Sequence, residues 1–363
     1  MYSEFFSKYV DDGSSKYYLY ISSTKETYRL AAVLILKYLF ASSCRTKLPE
    51  EADFFFIPTI TYRNSEHNTV LEEIERIYNT SLFRRGVRDH VIASLFNPGV
   101  CDSVDKWTNR TKDLLRPMLK IVAETFTWYF PFRERYGPNC GLFHIENTLA
   151  VPYVSTAHSF TGDIHRKRPY LSMFVGNSNY PTYRKKISDQ CNAAMNDRGD
   201  CYTPNKERTE LLGIQSYDLY VNSTFSFCPS GDTPTRKALF DGLSLNSIPV
   251  LFEELSFDLQ YSPFFPGNPR DYSVLLNSTE DIMGQLRAIP ESAIMKMQAN
   301  IARIRESVTY VDKFDALDAS WVILQQLKKY KENGYRFNDS FANKTKLSCV
   351  KEAQKMDGFC LLE

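Results

Sequence analysis

No two glycines in this chain are separated by a single residue, so the Gly-x-Gly-x-x-Gly turn of dinucleotide sites and kinases is excluded. Gly-x-x-x-x-Gly-Lys-Ser/Thr is absent, which removes a P-loop, and so are Gly-x-Ser-x-Gly and His-Glu-x-x-His. There is no Asp-x-Asp pair to hold a metal against a diphosphate. The eight cysteines, at 44, 101, 140, 191, 201, 228, 349 and 360, form no Cys-x-x-Cys and no zinc spacing. An excess of either charge is missing too. Lys and Arg total 44 against 43 Asp and Glu, a net charge of +1, without the basic surplus that nucleic-acid phosphates demand. A local basic pocket for one small anion stays compatible with that balance.

Long apolar runs are also scarce. LAAVLILKYLF, the longest near the start, is about half a membrane span and carries Lys37, which reads as a buried helix. MYSEFFSKYVDDGSSKYYLY shows no basic stretch followed by an apolar one, so no targeting leader is expected. The expected compartment is the cytosol for a natively unanchored chain. It is the Golgi lumen for one trimmed of its anchor.

What is present is ample for two cores: 363 residues, 43% hydrophobic and 14% aromatic. Strand-like and helix-like segments alternate, which predicts an α/β architecture. Strands are expected at 16–22, 52–58, 87–96 and 148–155, with a helix over 24–43. AHSFTGDIHRKRP, 157–169, is polar and basic and reads as a linker. The pattern then restarts with the strand YLSMFVG, the helical SDQCNAAMN, YDLYVNSTFSFCP running through a strand, and the strands IPVLF and YSVLLN. Two long helical stretches, ESAIMKMQANIARIRESVTY and ALDASWVILQQLKKYKEN, follow. The expected division is 1–165, 166–315 and a C-terminal helix with tail over 316–363 that crosses back to the first unit. Cys191 and Cys201 flank a polar loop; they are either buried thiols or, in an oxidising compartment, a disulfide. Asn-x-Ser/Thr triplets begin at Asn79, Asn109, Asn222, Asn277, Asn338 and Asn343, and Asn222 runs into an apolar strand, a poor place for a glycan.

FSFCPSGDTPTRKALFDGLSLNSIPVLFEE, 225–254, is the most informative stretch. Pro234 suits a first helical position, which puts Thr233 at the N-cap, Thr235 and Arg236 in the first turn, and the helix end at Asn246. That start follows a strand, where open α/β sheets bind ligands. One reading has free N–H groups, the helix dipole and the guanidinium holding a phosphate or diphosphate. The other has Asp232 and Thr233 capping a structural helix, with Arg236 paired to Asp232. Asp241 is a ribose acceptor in the first reading and a solvated helix residue in the second. Tyr217 and Tyr220 could stack a nucleobase, but aromatics are so frequent in this chain that core packing is the better reading.

The stretch from Tyr217 to Phe252 resembles the signature of the exostosin-type glycosyltransferases, family 47, above all plant, algal and algal-virus members. Cys228, Pro229, Gly231, Asp232, Thr235, Arg236, Phe240, Asp241, Ile248, Pro249 and Val250 stand where that signature has them. Asn246 and Ser247 depart from its usual Gly-Cys. RDHVIASLF, with Asp89 and His90, NTLAVPYVS, RPYLSMFVGNSNYPTYRKKI, with Arg168, Gly176 and Arg184, and YSPFF are similar to further family segments in the same order. The resemblance spans about residues 50 to 310.

It implies a GT-B fold, two Rossmann-like α/β domains facing each other across a cleft, the first for the acceptor and the second for the nucleotide-sugar. It implies an inverting, metal-independent transferase with a UDP-sugar as co-substrate and no cofactor, acting on an oligosaccharide or glycoprotein glycan. UDP-xylose is the expected donor, with galactose, arabinose or glucuronate as alternatives. A non-catalytic nucleotide-sugar- or glycan-binding protein of the same fold is the other reading. Leaving-group charge needs preorganised donors, assigned to Ser230, Gly231, Thr233, Thr235 and Arg236, with Arg168 and Arg184 as clamps and Asp241 on the ribose. Proton removal from the acceptor hydroxyl is assigned to His90, with Asp89, Asp102 and His67 behind it.

Overall fold

The computed structural model describes residues 34–35, 38–39, 52–57, 88–93, 117–124, 147–155, 160, 162–176, 178, 182–203, 216–231, 235–253, 257, 260–311 and 317–334. The expected strand over 16–22 lies outside them, and so do His67, Asp102, Asp232, Thr233 and Pro234. Of the expected 24–43 helix, Leu34, Ile35, Tyr38 and Leu39 are described and helical.

The first sheet is parallel and ordered β1 (Phe55–Ile57), β2 (His90–Ala93), β3 (Leu119–Val122), β4 (Thr148–Ala150). β3, LKIV, is buried throughout, as strands covered on both faces are. The second sheet holds β5 (Tyr170–Met173), β6 (Cys201–Tyr202), β7 (Ser223–Phe227), β8 (Ile248–Leu251) and β9 (Val274–Leu275), all parallel, in the order β6-β5-β7-β8-β9. The chain runs outward from β5 to β6, then returns to the other side of β5 as β7. That reversal is the topological switch point, where open parallel sheets hold ligands beyond their carboxyl ends.

Six helices accompany the strands among the described residues: α1 (Thr182–Arg198), α2 (Ser216–Asn222), α3 (Lys237–Ser244), α4 (Ile282–Arg287), α5 (Glu291–Ile304) and α6 (Ala319–Glu332). None is long and apolar enough to cross a membrane. α2 corrects the sequence reading, which ran YDLYVN into a strand. Tyr220 and Val221 are buried in a cluster with Leu219, Met173, Tyr202 and Leu245, so packing sets the local conformation.

Pro249 is tolerated in β8 because β9 pairs only from Val250 onward, so its missing N–H faces a side without a ladder partner. Gly242 lets α3 lie directly on β7: a Cβ there would stand 2.6 Å from Ser226 Oγ.

The two halves share one core. Phe240 of α3, wholly buried, stacks on Tyr153 beyond β4 at 5.8 Å and meets Tyr261 edge-on at 4.9 Å. Tyr310 donates to the Pro152 carbonyl (3.0 Å) and Tyr261 to that of Ala123 (2.6 Å). α6 reaches the start of β1 through Tyr330 against Phe54 (6.4 Å) and the Lys331–Asp53 ion pair.

Cys191 and Cys201 are joined as a disulfide that ties α1 to β6 across ten residues. Replacing both by alanine is expected to lower stability by about 2–3 kcal/mol, read as a reduced Tm in thermal unfolding. An unchanged Tm would show that the short loop adds nothing to the fold.

Candidate active site

Two loops converge at the switch point. One follows β5 and leads through Gly176 into α1; the other follows β7 through Cys228–Gly231 towards α3. They are stitched together by Tyr183, whose hydroxyl meets Ser230 at both its carbonyl (3.1 Å) and its Oγ. Burial, then the neighbouring Glu253, push that phenol far up, so it stays a hydroxyl. Arg184, the next residue of α1, lies over the Phe174 ring at 5.8 Å, and a Cβ on Gly176 would stand 3.0 Å from its Nη2. Arg236 lies across Gly231 so closely that a Cβ there would fall 1.7 Å from Nη2. Glycine at 176 and 231 thus gives each guanidinium its place against the backbone.

The helix start differs from the sequence reading. α3 begins at Lys237, with Arg236 as an extended N-cap (φ −136°, ψ 150°). Thr235 is drawn out of the helix by tertiary bonds: its N–H donates to Glu124 Oε2 (3.1 Å), and its Oγ1 accepts from Gln260 (3.0 Å). Those bonds, with 1% exposure, commit Thr235 to the fold. No side chain at the N-cap position accepts from the first turn of α3, and that turn carries no acid. Its cations, Arg236 and Lys237, sit where the helix dipole opposes them. Lys237 is compensated by Asp241 one turn on, at 2.6 and 2.7 Å, in the less favourable Lys-before-acid order. Asp241 also accepts from Ser155 of the first half (2.8 Å).

Arg168 is not a clamp in this structure. Its Nη1 donates to the carbonyls of Tyr220 and Ser223, both 2.7 Å, and its Nη2 to those of Ile164 (2.8 Å) and Leu245 (2.9 Å). Burial, then repulsion from Arg166, lower its pKa to about 10. A guanidinium spent on four carbonyls holds the 162–169 segment to the ends of α2 and α3, and leaves no fork for a phosphate.

His90 is also displaced from its expected place. It opens β2, so it lies at the amino edge of the first sheet, 1% exposed, stacked on Phe55 at 5.1 Å with Nδ1 2.7 Å from Asp89 Oδ1. The edge that meets the second half is the carboxyl one, at Ala123–Glu124 and Val151–Ser155. The strand expected over 87–96 already set residue 90 near its amino end, and β2, which begins at His90, keeps it away from the carboxyl ends that meet the second half.

Two carboxylates that the sequence reading passed over stand at the cleft. Glu124, buried just beyond β3, accepts from the Tyr153 hydroxyl and the Thr235 N–H, one bond from each half of the chain. Glu253, just beyond β8, accepts from Ser230 Oγ (2.5 Å) and faces Tyr183 Oη (3.3 Å). Burial raises Glu253 to about 7, although the hydrogen bonds from Ser230 and Tyr183 and the nearby Arg236 pull the other way. Its one sequence signal was position, directly after a buried strand. Cys228, the free cysteine among the described residues, is buried and pushed up to about 12, which makes it a packed thiol and not a nucleophile.

The chain is 30% identical over 176 residues to Xyloglucan-specific galacturonosyltransferase 1 of Arabidopsis thaliana, covering 45% of this chain and 25% of that protein. It is 27% identical over 229 residues to Probable xyloglucan galactosyltransferase GT19 of the same plant, covering 56% and 51%. The chain therefore spans between a quarter and a half of the length of these curated relatives. A solved structure described as the GtfA/B complex is similar with a TM-score of 0.38 at 11% identity, over 76% of this chain and 62% of that one. The model of the Exostosin GT47 domain matches residues 5–291, which include both sheets and both loops of the switch point, and the chain belongs to that family.

Proposed function

We propose that the chain is a glycosyltransferase that moves a sugar from a UDP-sugar to a hydroxyl of a glycan, with inversion at the anomeric carbon and without a metal. The observation that carries this reading is the pair of cations at the start of α3, Arg236 and Lys237, set at the switch point beside Ser230 and Gly231. Both cations oppose the helix dipole and, with Asp241 already beside Lys237, a diphosphate with its developing charge is an anion that such a start attracts. Arg236, Arg184, Ser230 and Gly231 are assigned to the diphosphate, and Thr233, outside the described residues, keeps its assignment there from the family pattern. Asp241 is assigned to the ribose; a carboxylate has about four acceptor positions, so Lys237 and Ser155 leave room for a hydroxyl.

The base must stand at the carboxyl edge of the first sheet, opposite the donor. Glu124 is the described carboxylate at that edge and replaces His90 and Asp89 in this reading; Asp102 lies outside the described residues. The names of the relatives put UDP-galactose and UDP-galacturonate ahead of UDP-xylose as donors to try. The Cys191–Cys201 disulfide favours an oxidising compartment, the Golgi lumen over the cytosol.

A thermal-shift series with UDP and UDP-sugars, with and without EDTA, tests the donor site. Ligand at about a hundred times its dissociation constant stabilises by about 2.7 kcal/mol. The expected result is a shift that survives EDTA and ranks the sugars. Glu124→Gln is expected to keep the UDP shift and lose transfer by about 10²–10⁴-fold. No shift with any uridine nucleotide would overturn the reading.

A further inference from the structure

Glu253 is an odd neighbour for a diphosphate. It stands at the carboxyl end of β8, within hydrogen-bond reach of the turn that carries Ser230 and Gly231. Its Oε1 is occupied by the Ser230 hydroxyl, with the Tyr183 hydroxyl at 3.3 Å. Its Oε2 is sealed from solvent and has no hydrogen-bond partner among the described residues. A buried acceptor without a donor is costly, and a buried anion more so. The cost disappears when Oε2 carries a proton and that proton has an acceptor to point at. A phosphate oxygen held by Arg236 is one.

We infer that Glu253 is a donor-binding residue that works in its neutral form: it takes up a proton when the diphosphate of the nucleotide binds, and donates Oε2–H to a phosphate oxygen. The inference rests on the UDP-sugar reading of the same site. The proton comes from solvent, no covalent bond to carbon or phosphorus changes, and the carboxyl releases the proton when the nucleotide leaves.

Among the described residues, few groups face Glu253. Tyr183 approaches from α1, Ser230 from the turn after β7, and Arg236 from the entry to α3, while Arg184 acts on Tyr183 from the same helix. Burial lifts the carboxyl to about 7. It is neutral below that pH and anionic above it. A diphosphate placed alongside disfavours the anion further, so the bound-state value is higher still. The sign follows. Above pH 7 binding is accompanied by proton uptake, and affinity falls as pH rises, by up to about tenfold per pH unit. Phosphate itself titrates near 6, so the charge of UDP is constant over that range.

Isothermal titration of UDP into the full chain, in buffers of different ionisation enthalpy, counts the protons directly and needs no variant. The expected uptake is close to one proton at about pH 8.5 and about half a proton at about pH 7, with Kd rising about tenfold between them. Glu253→Gln, which keeps an N–H donor and cannot ionise, is expected to flatten Kd across that range and abolish the uptake. Tight UDP binding with no uptake and a flat Kd in the unmodified protein would overturn the inference and leave the donor site standing. Absence of UDP binding at both pH values would overturn the donor site and the inference together.

Discussion

Arg236→Ala is expected to lower kcat/KM for sugar transfer by about 10²–10³-fold, the range for removing one preorganised donor from a developing anion, and to erase the UDP-induced thermal shift. The loss should come without loss of fold. Arg236 precedes α3, and its side chain supplies no helix cap. Gly231→Ala makes the sharper companion. A methyl at 231 would overlap the guanidinium of Arg236 at 1.7 Å, and the far end of a long side chain moves more cheaply than backbone does. Gly231→Ala should therefore retain its melting temperature without ligand and lose UDP affinity nearly as far as Arg236→Ala. The double variant should be little worse than either alone, because both remove the same contact. Additive losses would mean that Gly231 serves the ligand by another route.

The largest effect on stability is expected at Arg168. Replacing it by lysine keeps the charge and loses the planar fork that serves carbonyls from four places in the chain. Hydrogen bonds to a charged donor contribute about 1.5–3 kcal/mol each, and a lysine ammonium can meet only part of the set. A loss of about 3–5 kcal/mol is the expected outcome. At about 2–4 °C per kcal/mol for a domain of this size, Tm should drop by roughly 6–20 °C. Saturating UDP should still bind the folded fraction of Arg168→Lys with little change in Kd. A weakened Kd at unchanged Tm would return Arg168 to the donor site.

These two arginines show what the chain disclosed on its own. β4 and β8 were legible because strands buried on both faces become short, mostly apolar runs, as TLA and IPVL are, and the half-buried β1 and β5 lie within the apolar stretches ADFFFIP and YLSMFVG. The signature from Tyr217 to Phe252 marked, by resemblance, the loop to which donor binding is assigned in the proposed function. What stayed hidden depended on partners distant in sequence. α3 starts three residues later than its proline suggests because Glu124, 111 residues upstream, takes the N–H of Thr235. Arg168 looked free beside a basic linker, yet the carbonyls that occupy it come from as far as Leu245. The position of His90, by contrast, was legible: residue 90 is near the amino end of the strand expected over 87–96, whereas ligands lie beyond carboxyl ends, so its assignment as base by resemblance went against the strand. Glu253 reads as one of two adjacent acids after a strand; only burial makes it unusual, and burial is a property of the whole fold.

The aromatic seam between the halves has a mechanical meaning. A two-lobed enzyme is often imagined as a clamshell whose lobes swing freely about a hinge. Here Tyr153, Phe240 and Tyr261 interlock where a clamshell would gape, and Glu124, Ser155 and Pro152 are each bonded across the same line. Opening that line would wet a packed surface and strand several polar groups at once. Heat should therefore melt the two halves together as one cooperative body, so that a nucleotide bound as proposed by the second would also protect the first.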